Sequence, residues 1–251
     1  MKFLLSGEGS SDLGRVNGPG DWGEGETFEP GPMAWILDRI VESQCNYSPL
    51  ETQAVRYVSE AALTRQERES RERGTNRSTV LPGRSRPQGT GFFFKNAQAL
   101  GRRAQAWQAD ERDNPGSVVA VLFRDCDGTR SSSRGLWREK VDSMRSGFRS
   151  VGCELGVPMI PKPKSEAWLL CALQKAPYQG CADLEDLSGN DDSPRSPKKL
   201  LAEAVESAVV PVPSEEQAEW VRTGRVDPSR IQMPSFDQFK TDLLEAVRRA
   251  E

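Results

Sequence analysis

The chain has no histidine among its 251 residues. That absence removes the Ser-His-Asp and Cys-His nucleophile systems, zinc sites built on imidazole, and nucleases that use a histidine base. Catalysis here must run on carboxylates, lysines, arginines, hydroxyls or a hard metal ion. Cysteine is scarce as well. Cys45, Cys126, Cys153, Cys171 and Cys181 show no CxxC spacing, and their odd number argues against a disulfide framework. They read as reduced thiols of a cytoplasmic protein. No run approaches the roughly 20 apolar residues that a membrane helix needs, so no membrane association is expected. The opening residues turn polar too soon for a signal peptide. Positive charge is not in excess either: 34 Lys and Arg stand against 37 Asp and Glu, a net charge of −3. A globally basic nucleic-acid binder is excluded, but a local basic face is not.

The remaining pattern alternates strands and helices. Lys2 to Ser6 reads as a short buried strand, ending in the acidic turn Gly7-Glu8-Gly9-Ser10-Ser11-Asp12. After a glycine-rich loop, Met33, Ile36, Leu37, Ile40 and Val41 repeat at helical spacing. Residues 51 to 61 permit a second strand. The stretch near 65–88 holds seven arginines and three glutamates between Arg65 and Arg86, and reads as a mobile basic insertion. Helical spacing resumes from Phe92 to about Glu111, carrying Lys95, Arg102 and Arg103. Ser117 to Phe123 is apolar on both faces, as in the middle of a parallel sheet, and ends in Arg124-Asp125-Cys126-Asp127-Gly128-Thr129.

A basic helix with Leu136, Trp137, Val141, Met144 and Phe148 on one face follows. Then come a strand at Val157 to Ile160, the loop Pro161-Lys162-Pro163-Lys164-Ser165-Glu166, and a helix from Ala167 to Leu173 that is apolar nearly all round. A helix near Lys198 to Ala208, a Pro-rich link and a last helix capped by Ser235 complete the chain. The expected fold is α/β, a Rossmann-like, mostly parallel sheet flanked by helices, with residues 1–205 as the main domain. Residues 206–251 add a small helical extension packing on it. Sites in such folds lie at the carboxyl edge of the sheet.

Two acidic turns at strand ends, Glu8 with Asp12 and Asp125 with Asp127, would share that edge. Clustered carboxylates repel unless a cation joins them, and all-oxygen ligands suit Mg²⁺ or Mn²⁺. Each motif alone reads equally well as a helix cap or an ordinary turn. Lys162, Lys164 and Glu166 fall at the same edge, as a phosphoryl-neutralising pair and a further ligand, or as a solvated loop. Asp191 and Asp192 read as a turn. Residues 130–149 hold six basic residues and two acids, Arg130 and Arg134 among them, a pattern that can track phosphates. The six tryptophans read as core or interface anchors.

The Gly7–Asp12 and Asp125-Cys126-Asp127-Gly128 segments resemble the glutamate and Asp-x-Asp motifs of TOPRIM domains. Phe28–Ala34, Phe93–Ala97, Pro161–Leu170, and Ser193-Pro194 with Lys198–Leu201 resemble segments of stand-alone bacterial TOPRIM-like proteins, related to OLD-family nucleases. The resemblance covers about residues 1–205. It implies a TOPRIM-like fold and a Mg²⁺- or Mn²⁺-dependent nuclease. By the resemblance Glu8 would be the general acid/base or a metal ligand, and Asp125 and Asp127 ligands; the residue pattern adds Lys164 as a catalytic group and Asp12 and Glu166 as further ligands. Lys95, Arg102, Arg103, Arg130, Arg134 and Lys162 would meet nucleic acid. It also implies a setting in antiviral defence beside an ATPase partner; a homo-oligomer is compatible with this. A rival reading is a haloacid-dehalogenase-type phosphatase with Asp125 as nucleophile. A third is a non-catalytic partner module.

Overall fold

The computed structural model describes residues 1–9, 11–72, 90–110, 116–126 and 134–251. Its centre is a five-stranded sheet in the order β3-β5-β1-β6-β7. β1 (Lys2–Gly7) lies between β5 (Val55–Val58) and β6 (Val118–Phe123), and β7 (Gly156–Met159) extends the sheet beyond β6, all parallel. The three-residue β3 (Trp22–Glu24) closes the other edge antiparallel to β5. This is the expected Rossmann-like α/β architecture. β2 (Gly14–Val16) and β4 (Phe28–Pro30) form a separate antiparallel ribbon inside the glycine-rich loop. Gly14 needs to be glycine there: its φ is +125°, and a Cβ would stand 2.2 Å from the Glu29 carbonyl oxygen.

Period-two alternation assigns each strand's residues to one of two cores. Phe3, Leu5, Val119, Val121 and Phe123 face the first core. It is covered by α1 (Pro32–Cys45), α5 (Ser165–Leu173), α6 (Pro197–Ala204), α7 (Ser214–Arg222) and α8 (Pro234–Ala250). Leu4, Ala120 and Leu122 face the second, under α2 (Glu60–Glu72), α3 (Gly91–Asp110) and α4 (Arg134–Arg149). A polar side chain on a strand covered on both faces is costly to bury, and β6 reads as unbroken Val-Val-Ala-Val-Leu-Phe.

Four sequence expectations need correction. The basic stretch begins as a helix, because α2 runs through residue 72 with Ala62 and Leu63 buried at its start; residues 73–89 lie outside the described ones. The extension beyond 205 contains a helix, α7, whose Trp220 and Val221 join the first core. Cys171 and Cys181 are joined in a disulfide, leaving Cys45, Cys126 and Cys153 free. An odd count excludes a fully paired framework but not one local crosslink, and the turn after α5 brings these Cα atoms to 5.1 Å. Finally, Ser235 lies inside the first turn of α8, where Met233 takes the N-cap position. The Ser235 N–H donates to the Glu185 carboxylate at 2.6 Å, and its hydroxyl accepts from Trp168 Nε1 at 2.9 Å. The cap is supplied from elsewhere in the chain. Trp168 in turn packs on Phe236 and Phe239, with ring centroids 5.0 and 5.8 Å away, so α8 is docked on the buried helix α5. Among the described residues no helix is long and apolar enough to cross a membrane.

Candidate active site

The in-register pairing of β1 and β6, with Gly7 opposite Phe123, ends both strands at the same level. Glu8 therefore emerges beside Arg124 and Asp125. The Asp125 N–H donates to Glu8 Oε1 at 2.9 Å, and Arg124 pairs with Glu8 Oε2 at 3.0 Å. Arg124 also holds Glu60, at the start of α2, at 2.6 Å, and Asn96 on α3 donates to the same carboxylate. One guanidinium thus joins the ends of β1, β6 and α2.

The chain continues from β6 alongside β7: Cys126 N–H donates to the Pro161 carbonyl at 3.0 Å. This places Asp125 at the N-terminus of α5. The Ser165 N–H donates to Asp125 Oδ1 at 3.0 Å, where the helix dipole favours negative charge. The Ser165 hydroxyl donates to Asp12 Oδ1 and lies 3.5 Å from Glu166 Oε2. Ser165 is therefore the hub of three carboxylates: Asp12 from the first acidic turn, Asp125 from the second, and Glu166 from α5.

All three resist ionisation. Burial raises Asp125 well above the ordinary carboxylate range, and the neighbouring charges of Asp12, Glu166 and Glu8 push it further. Burial also raises Asp12, against the Ser165 hydrogen bond and the more distant Lys198 and Lys164. Glu166 is pushed up to about 7 by burial and by Asp12. The cations stand on the far side. Lys164 and Lys198 grip Asp191 at 2.8 and 3.0 Å. Burial works against ionisation of Asp191, but these two hydrogen bonds prevail and hold it low. Lys198 is raised in spite of partial burial, by Asp191, Glu166 and Asp125 together.

Of the residues named from sequence, Glu8, Asp12, Lys164, Glu166 and Asp125 are brought to this one edge. Asp127 and Arg130 lie outside the described residues, as does the Arg134 side chain at the start of α4. Lys95 is exposed on α3 and Arg102 is half-buried. Arg103 stacks on Trp22 at 3.6 Å, in a separate cleft of about 640 Å³ with Arg56 and Trp107. Lys162 is buried, its side chain 3% exposed, and faces Asp186 at 3.4 Å rather than a surface a nucleic acid could follow. The sequence reading missed Ser165, Arg124, Glu60 and Lys198; Asp191 does lie in a turn, as read, and its ion pairs with Lys164 and Lys198 were not foreseen. Arg124 and Ser165 each adjoin a chosen acid, a signal that was present; Asp191 reaches the site only through the fold.

Among the described residues no three acids or thiols stand close enough together to hold a metal ion. The donor chemistry of Asp12, Asp125 and Glu166 nevertheless suits a hard divalent cation: all oxygen, partly desolvated and mutually repelling. No family model, no curated protein and no solved structure matches this chain.

Proposed function

We propose that the carboxyl edge of this sheet hydrolyses phosphodiester bonds of nucleic acid with a divalent cation, Mg²⁺ or Mn²⁺. The observation that carries this reading is the trio of carboxylates around Ser165, with Glu166 buried and Asp12 and Asp125 half-buried. Gathering three partly desolvated acids around one hydroxyl costs free energy that packing does not require, and a binding role for a cation accounts for it. A cation would have to draw Asp12, Asp125 and Glu166 closer together than they stand, with Asp127 joining the set by its place in the sequence. The cation would supply Lewis acidity and a bound water of lowered pKa.

The chain's own groups divide the remaining work. Glu8, fixed between the Asp125 N–H and Arg124, orients Asp125 and offers a carboxylate for proton transfer. Arg124 and Lys164 supply positive charge where non-bridging phosphate oxygens would gather. Lys198, raised above its ordinary value, remains protonated across the physiological range. In the cation-free site Glu166 holds a proton at its carboxyl up to about pH 7. The defence role and an ATPase partner belong to this reading through the TOPRIM resemblance.

The test is cleavage of end-labelled single- and double-stranded oligonucleotides in Mg²⁺ and in Mn²⁺, with Asp125→Asn and Asp12→Asn beside the wild type. Both variants should fold and lose activity by about a hundredfold or more. Cleavage that survives both substitutions places the chemistry elsewhere. Hydrolysis of a phosphomonoester, together with trapping of an acyl-phosphate mimic on Asp125, would establish the phosphatase instead. Inactivity of the wild type on every substrate would leave the partner module.

A further inference from the structure

We infer that Phe92 is a stacking platform for an unpaired base next to the scissile phosphate, which makes single-stranded nucleic acid the substrate class. The inference rests on the nuclease reading of the carboxylate edge and specifies what that edge accepts. Phe92 is 68% exposed, whereas its neighbour Phe93 is buried in the second core. Burial therefore does not explain an aromatic ring at position 92. Its location does the explaining. Arg124, clamped by Glu8 and Glu60, has its guanidinium 5.8 Å from the Phe92 ring centroid and 5.4 Å from that of Phe93. One cation thus touches both the site's carboxylate and the exposed ring.

Phe92 also begins a face of α3. Lys95 and Arg102 follow at i+3 and i+10, within a quarter turn of it, and carry positive charge away from the carboxylates. An aromatic ring at the reacting end with cations spaced beyond it is the arrangement that binds single strands. Bases stack on the ring while phosphates follow the charges. A duplex keeps its bases stacked on one another and has none to offer Phe92, except at a cost of unpairing.

The experiment measures equilibrium binding of fluorescein-labelled 12-mers, single-stranded DNA, single-stranded RNA and duplex DNA, by anisotropy in EDTA. The wild type, Phe92→Ala, Phe92→Trp and a Lys95→Gln/Arg102→Gln double variant are compared. Phe92→Ala should melt at the wild-type temperature, since the ring is exposed. It should weaken single-strand binding about fivefold to a hundredfold, and leave duplex binding unchanged. Phe92→Trp should retain affinity. The double variant should bind single strands less tightly and with a shallower salt dependence. Equal single-strand affinity of the wild type and Phe92→Ala, or a wild type that prefers duplex or binds no oligonucleotide, overturns the inference. The comparison of DNA with RNA tells which sugar the strand carries. Cleavage is scored separately. Phe92-dependent binding without metal-dependent cleavage keeps Phe92 as a single-strand stacking platform but removes the nuclease reading and with it the scissile phosphate; cleavage without Phe92 dependence overturns the inference and keeps the nuclease reading.

Discussion

Glu166→Gln isolates the electrostatic cost of the carboxylate cluster. Glu166 is 6% exposed, and its pKa is pushed from 4.5 to about 7. A carboxyl whose folded pKa is raised binds more protons in the native than in the unfolded state between those two values. Stability therefore falls as pH rises across that interval and levels off above pH 7. At 1.36 kcal/mol per unit, the total is about 3 kcal/mol, a large share of the ~5–15 kcal/mol of a typical domain. Urea denaturation in EDTA at pH 5, 6, 7 and 8 reads it directly. The wild type should lose about 2–3 kcal/mol between pH 5 and 8 through this group. Asp12 and Asp125, raised in the same direction, steepen the fall.

Glutamine keeps the shape and removes the charge. The variant should match the wild type within about 1 kcal/mol at pH 5 and exceed it by about 3 kcal/mol at pH 8. Mg²⁺ should restore stability to the wild type, by about 3 kcal/mol at a hundredfold excess over its dissociation constant. The variant should gain less. A variant with the wild-type pH slope, or one less stable than wild type at pH 8, would refute the claim that Glu166 is held against its own charge.

Two further outcomes test the scaffold. Replacing Cys171 and Cys181 by alanine opens a crosslink between residues ten apart, and should cost about 2–3 kcal/mol in urea denaturation; reductant should lower the wild type similarly and leave the variant unaffected. Gly147→Ala sets helix propensity, which favours alanine by about 1 kcal/mol, against a clash. A Cβ on α4 at that position would lie 2.3 Å from the Phe94 carbonyl oxygen and 2.8 Å from Ala97 Cβ on α3. The clash should prevail, with a net loss of about 1–3 kcal/mol; a stabilised variant would show that α3 and α4 separate easily.

Much of this architecture is local information. The unbroken apolar run of β6 needs two covered faces, the stripe from Met33 to Val41 needs one, and acidic turns after β1 and β6 fall at one edge once the strands are parallel. These follow from periodicity and chain direction, which any segment carries within itself. The sequence alone thus determined the layered α/β fold and brought the two acidic turns to one edge of it. It did not determine the hub. Ser165 becomes central because β7 carries α5 across the ends of β1 and β6, so that its N–H meets Asp125 and its hydroxyl meets Asp12. Asp191 lies in a turn, as its sequence indicates, but its partners, Lys164 and Lys198, sit on two different helix N-termini and are brought to it only by the fold. The same holds for the cap of α8, where Glu185 from fifty residues away accepts from the Ser235 N–H, and for the Cys171–Cys181 bond. Hydrogen bonds, ion pairs and crosslinks depend on distances of a few ångströms between atoms that the chain brings together only when it folds, so tertiary structure alone decided them.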